Sequence, residues 1–350
     1  MNFYTLISNS TRSHRKFVLL TLFSAGVIIT MIVATNYIID PLRTFAHSDM
    51  LNNKQVGFDE RQQKTNYLYF VDNTFDSVLL GSSRTTFIDQ TLFAPEKVFN
   101  YAANGMSPYE YDRYLANFIK ITGHAPQKIY IGMDFFGTNT FKNRLYKNTA
   151  LDRPFLHDTQ QKGYRYKKLF NAQVFEHSLK NILQNIKAKK PYYTRSNIKL
   201  IPDRYIKASK ENTKNTLRSF EKYTYDGELL AYYQSLKQKY KDSQFVIFTT
   251  PVYHLRLANY EKAGLDQYYV RWLRELVGTF GEVNHFMYDN AFTQNESNYF
   301  DASHFRPSKA PLIVNSITQN TNNQYMTVLK PENLETFIAD YLKTKDGAEK

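Results

Sequence analysis

Cysteine is absent from this 350-residue chain. Disulfides and thiolate metal sites are therefore excluded. The eight histidines are scattered, with no His-x-x-x-His or Glu-x-x-His spacing, so no metal motif is present. Internal repeats and low-complexity tracts are also lacking. Tryptophan occurs once, against 28 tyrosines and 26 phenylalanines. Most of these rings read as core and half-buried strand residues, with stacking on sugars as the alternative use. Tyr192, Tyr193 and Arg195 are the candidates for such a sugar-binding face.

The absence that decides the compartment is one of charge. Phe17 to Ile39 is a run of 23 residues without a charged side chain. As a helix it spans about 34 Å, enough to cross a bilayer core. Arg12, Arg15 and Lys16 flank one end; Asp40 and Pro41 close the other. The positive-inside rule then places residues 1–16 in the cytoplasm as a tail, 17–39 in the membrane, and the rest outside. The small residues Ser24-Ala25-Gly26 lie within the run rather than after it, which favours an uncleaved anchor over a signal peptide.

The chain beyond the anchor has the composition of a folded domain. Hydrophobic residues are 42% and charged residues 22% of the whole, and a core of this size needs no disulfides. Formal charge is +13, and +10 outside the tail, with 42 basic against 32 acidic residues. An acidic polymer or an anionic membrane face fits that balance. Nucleic acid is excluded as a partner for an outward-facing domain.

Residues 40–75 are polar and mixed and read as a connecting segment. From 76 to 345, short apolar runs alternate with helical patterns, which predicts an α/β domain with a parallel sheet. The predicted strands are Ser77–Leu80, Val98–Tyr101, Lys128–Gly132, Phe245–Thr249 and Glu282–Met287. The predicted helices include Ser107–Ile121, Glu228–Tyr240, Tyr260–Phe280 and Ser308–Thr318. Residues 140–225 interrupt the alternation with clustered lysines at 162–168, 187–190 and 207–214. This insertion reads either as a solvated face or as a helical cap or docking face.

Chemistry-bearing residues gather where active sites lie in such sheets, at the carboxyl ends of strands. Gly81-Ser82-Ser83-Arg84 follows the first strand, and Asp301-Ala302-Ser303-His304 lies near the C-terminus. A serine hydroxyl needs a positioned base, and the base needs a group that fixes its tautomer. Ser83, His304 and Asp301 supply those three roles. After the second strand, Asn100-Tyr101-Ala102-Ala103-Asn104-Gly105 ends on a glycine. That glycine serves either as a close backbone donor or as a simple loop punctuator. Asp134 follows the third strand in Gly132-Met133-Asp134. His254, after the fourth, is a pocket residue or a plain loop histidine.

The order of these blocks resembles the SGNH hydrolase superfamily, the GDSL esterases and their acyltransferase relatives. The resemblance implies a three-layer, flavodoxin-like parallel-sheet domain and a Ser83–His304–Asp301 triad. The Ser83 and Gly105 amides would form an oxyanion hole. The superfamily's third block carries Asn where this chain has Asp134. That position departs from the pattern. Asp134 could be protonated, could orient Arg84 or His304, or could leave the donor role to another residue such as Asn139. The departure fits better with membrane-anchored envelope proteins similar to the D-alanyl transfer proteins of teichoic acid modification and the alginate acetylation proteins. The resemblance implies a single-pass protein of the bacterial cytoplasmic membrane acting on O-acyl groups, acetyl foremost, of an envelope polysaccharide or other acylated polymer. It also implies a multispanning membrane acyltransferase as partner. The rival expectation is a non-catalytic binding or scaffold module for surface-polymer assembly. No cofactor is implied.

Overall fold

In the computed structural model, residues 3–47, 51–202, 217, 220 and 222–346 are described. The lysine cluster at 207–214 falls outside them. The chain opens with one long helix, α1 (Phe3–Ile39). Its segment His14–Ile39 is long and apolar enough to cross a membrane.

Beyond it lies a six-stranded sheet. Its strands are β1 (Ser77–Gly81), β2 (Val98–Asn100), β3 (Lys128–Met133), β6 (Gln244–Thr249), β7 (Val283–His285) and β8 (Thr327–Leu329), in the spatial order β2-β1-β3-β6-β7-β8. All neighbours are parallel except β8, which runs antiparallel to β7 along the edge. The predicted strands are all present within a few residues; β8 is additional. A separate hairpin, β4 (Tyr192–Tyr193) with β5 (Lys199–Leu200), lies inside the 140–225 insertion.

Parallel strands are covered on both faces, which is why they read as nearly unbroken apolar runs. Side chains alternate between the faces. Val78, Leu80, Ile129, Ile131 and Ile247 enter one core. Leu79, Tyr130 and Phe248 enter the other. The first core is closed by α2 (Glu60–Phe70), α3 (Tyr111–Thr122), α8 (Leu229–Lys239), α10 (Asp266–Phe280) and α12 (Pro331–Asp346); α11 (Ala310–Gln319) closes the second. The predicted helix 260–280 is in fact two, α9 (His254–Lys262) and α10, parted at Gly264, whose φ is +68°. Besides that hairpin, the described part of the insertion carries α4 (Thr140–Asn143), α5 (Arg153–Leu156), α6 (Tyr164–Leu169) and α7 (Ala172–Lys187).

The segment expected to be a connector contains α2, which is packed into the domain. Tyr67 stacks parallel to Phe99, ring centroids 6.1 Å apart. Its polar sequence hid it, because its buried residues are mostly hydrogen-bonding ones. Gln63 donates to the Pro41 carbonyl, Asn66 to the Leu42 carbonyl, and Thr65 shares a hydrogen bond with the Tyr101 hydroxyl.

Candidate active site

The parallel register sets the site. Gly81 lies opposite Gly132, and Met133 opposite Thr249. The loops leaving β1, β3 and β6 therefore emerge together. Gly81 has φ +147°, and a Cβ there would lie 2.3 Å from Thr85 Oγ1; one on Gly132 would lie 2.2 Å from the same atom. Both glycines make room for Thr85, letting the chain turn sharply out of β1 and present Ser83.

Ser83 Oγ lies 2.8 Å from His304 Nε2. His304 Nδ1 lies 2.9 Å from each carboxylate oxygen of Asp301. Asp301 Oδ1 also accepts the amides of Ser303 and His304, each at 2.8 Å. The Asp301–His304 segment is thus a self-bonded turn, which explains how two residues three apart aim at one serine. Burial alone would raise the Asp301 carboxyl, but His304 and those two amides outweigh it and hold it below the usual range. An ionised Asp301 accepts the Nδ1 proton and leaves Nε2 as the acceptor for the Ser83 hydroxyl. The ring is packed on one face by Phe300, with centroids 5.6 Å apart, and meets Phe87 edge-on. His304 and Asp301 remain partly open to solvent.

Arg84 and Asp134 form a buried ion pair, and Thr250 donates a hydroxyl hydrogen bond to the same Asp134 oxygen. Arg84 Nε donates to the Ser303 carbonyl at 2.8 Å. Of the three expectations for Asp134, the structure supports the orienting one: its carboxylate holds Arg84, and Arg84 holds the histidine loop. Thr250 carried no signal in the sequence; it sits there because β6 ends beside β3.

Asn100 ties the nucleophile turn to β2. Its Nδ2 donates to the carbonyls of Thr85 and Ile88 at 3.0 and 2.8 Å. Gly105, at φ +63°, follows two residues after Ala103, whose amide donates to the Gly81 carbonyl. The 104–110 loop is anchored by Glu60, which accepts the Asn104 amide at 2.6 Å, and by the Arg61–Glu110 ion pair. Asn139 is engaged elsewhere. Its side chain accepts the Phe141 amide and caps α4, while its backbone bridges to Tyr225. No contact joins it to the triad among the described residues. His254 begins α9, with its amide bonded to the Thr293 carbonyl. Tyr193 and Arg195 are not a sugar face: Tyr193 is buried with its hydroxyl on Glu60, and Arg195 pairs with Asp40.

A cleft of ≈560 Å³ opens beside Asn104, lined by Phe58, Glu60, Arg61, Lys190 and Lys199. Lys199 connects it to the triad: Nζ donates to Thr86 Oγ1 at 3.0 Å, and Thr86 donates to the Ser83 carbonyl at 2.6 Å. A cavity of ≈580 Å³ at the other end of the sheet is lined by strand-start residues such as Lys128 and Gln244. It faces away from every loop described above.

Beneath the cleft, Glu60 and the fully buried Lys64 were both invisible to sequence reasoning. Burial would raise Glu60, but Lys199 and Lys64 pull it down to about 2. Burial pushes the Lys64 ammonium down to about 7, against the attraction of Glu60. Lys64 Nζ donates to the Ala102 carbonyl at 2.6 Å. An unfolded lysine titrates near ~10.4. Between the two values the unfolded chain binds more protons, so stability rises with pH across that window, and below the folded value the burial penalty is present in full. Urea midpoints of the intact protein should therefore increase from about pH 7 to about pH 10. Lys64→Met should flatten that rise even though it lowers stability overall. An unchanged slope in the variant would refute the assignment.

No family model matches this sequence, and no curated protein matches it.

Proposed function

We propose that this chain is a membrane-anchored serine acyltransferase or esterase with an SGNH-like, flavodoxin-like domain, acting on O-acyl groups of a cell-envelope polysaccharide. The observation that carries the reading is the hydrogen-bonded series Ser83–His304–Asp301 at the carboxyl end of β1. It lies in a parallel sheet whose first strand sits between the second and third, the switch point where such folds bind ligands. Ser83 Oγ attacks the acyl carbonyl carbon while His304 Nε2 takes the hydroxyl proton. The oxyanion that forms faces the Ser83 and Gly105 amides, which have no protein acceptor among the described residues. Each such donor is worth about 2.7–4 kcal/mol in other enzymes. Collapse expels the alkoxide, which leaves with the proton from His304, and the acyl group remains as an ester on Ser83. A sugar hydroxyl or water then attacks that ester and gives up its proton to His304; collapse breaks the bond to Ser83 Oγ, which takes the proton back from His304 as the acyl group leaves on the acceptor.

The polar, charge-lined cleft beside Asn104 suits a hydroxyl-rich acceptor, and the anchor favours transfer over hydrolysis by holding the site at the polymer's surface. The scaffold reading rested on Asp134 standing where a donor is expected. Its pairing with Arg84 gives that residue a positioning role that is compatible with catalysis. A fluorophosphonate probe tests the proposal: the full chain should be labelled on Ser83, and a folded protein that resists labelling would overturn it.

The orientation belongs to the same proposal, with residues 1–16 in the cytoplasm of a bacterium and the domain outside. An alkaline phosphatase fused after Lys350 should be active. Activity instead from a cytoplasmic reporter at that site would reverse the topology.

A further inference from the structure

In water, a helix on a protein surface turns its apolar side inward and its polar side out. Helix α7 does the reverse. Its buried residues are Val174, Ser178, Asn181 and Gln184, three of them polar. Each polar one is hydrogen-bonded into the domain. Ser178 donates to Asn36 Oδ1 at 2.9 Å, Asn181 Oδ1 accepts the Val56 amide at 2.9 Å, and Gln184 Nε2 donates to the Lys190 carbonyl at 2.6 Å. On the opposite side, Leu179, Leu183 and Ile186 follow one another at spacings of four and three and make one stripe. They are 45%, 54% and 69% exposed. Lys180, Lys187, Lys189 and Lys190 are exposed around that stripe.

The place of α7 supplies the reason. It packs on the end of α1: Asn36 Nδ2 donates to the carbonyls of Leu169 and Asn171, just before α7 begins. The domain covers one side of α1 from Ile32 onward, with Asn36 and Ile39 buried. The length of the apolar run left uncovered, Phe17 to Met31, is fifteen residues. That is about 22 Å of helix, short of the ~30 Å hydrocarbon core. The span reaches across only if the underside of the domain enters the interface with it. Aromatic side chains ring the same level. Tyr37 meets Phe45 edge-on at 4.9 Å, Phe45 meets Tyr166, and Phe170 is exposed at the end of α6. Such belts mark the membrane–water boundary.

We infer that α7 lies in the lipid interface on the domain's side of the membrane, with Leu179, Leu183 and Ile186 among the acyl chains and the surrounding lysines at anionic headgroups. This rests on α1 being a membrane span. The domain is then seated on the bilayer rather than tethered above it. The Glu60–Lys199 cleft, which shares Lys190 with the α7 end, opens close to the lipid surface.

The cysteine-free chain allows a clean test. Single cysteines replace Leu183, Ile186, Phe23 in the span, or Gln238, exposed on the outer side of α8, in the full-length protein. Each is spin-labelled and reconstituted in vesicles of phosphatidylethanolamine and phosphatidylglycerol. Collision with oxygen should exceed collision with a nickel chelate severalfold at 183 and 186, as at 23, with the reverse at 238. Nickel access at 183 and 186 like that at 238 would overturn the inference. So would shielding from both reagents, which would mean that a second copy or another protein covers the stripe. A label at 23 found in water would sink the span itself, so the two failures are distinguishable.

Discussion

Ser83→Ala should reduce acyl transfer by about 10⁴- to 10⁶-fold, the range seen when one member of a serine catalytic unit is lost. Ser83 Oγ makes one side-chain hydrogen bond, to His304, and it lies at a partly open surface. Its loss leaves neither a cavity nor an orphaned buried partner, so the urea midpoint should hardly move. His304→Ala should be as severe, and the double variant no worse than either, because the residues act as one unit. Asp301→Asn should also be severe, since an amide permits the wrong imidazole tautomer. Initial rates with a p-nitrophenyl acyl ester and with acylated polymer provide the measure. A double variant whose defect is the product of the two single defects would break the unit apart.

Asp134→Asn should damage both stability and rate. Arg84 and Asp134 are nearly inaccessible, at 3% and 5% side-chain exposure. Removing one charge leaves the other buried and uncompensated, a change that costs about 3–5 kcal/mol in other proteins. The guanidinium also holds the Ser303 carbonyl, so the histidine loop should lose its alignment and fluorophosphonate labelling of Ser83 should slow. Replacing both partners by apolar residues, Arg84→Met with Asp134→Leu, should restore much of the stability but not the labelling rate, because the tie to Ser303 stays broken. An Asp134→Asn protein with unaltered midpoint and rate would remove Asp134 from the site and reopen the neutral-donor expectation.

Sequence reasoning singled out Ser83, His304 and Asp301, which the structure joins by hydrogen bonds, because each sits in a local pattern that carries its own geometry. Ser83 follows an apolar run ending in glycine, and Asp301 and His304 share one self-bonded turn. It failed where burial is polar. Helix α2 has the sequence of a connector because Gln63, Lys64, Thr65 and Asn66 look solvent-facing, yet all four are buried and hydrogen-bonded. Tyr193 and Arg195 looked like surface recognition residues, and they instead lock the hairpin to Glu60 and to Asp40 at the end of α1. Hydrophobic patterning has no means of finding a polar side chain whose partner lies in a distant part of the chain.

The sequence by itself determined the N-terminal helix long and apolar enough to cross a membrane, the strand-and-helix alternation of the domain and the candidate nucleophile, base and orienting acid. Each of these is written in neighbouring residues through an uncharged length, a periodicity or a turn. Only the tertiary structure decided that Asp134 pairs with Arg84, that Asn139 caps a helix, and that α2 and α7 join the end of α1 to the domain. The first of those outcomes depends on the register of β1, β3 and β6, which brings residues 84, 134 and 250 to one end of the sheet. All of them depend on desolvation. A buried charge or amide is tolerable only where the fold delivers its partner, and that delivery is a property of the packed chain.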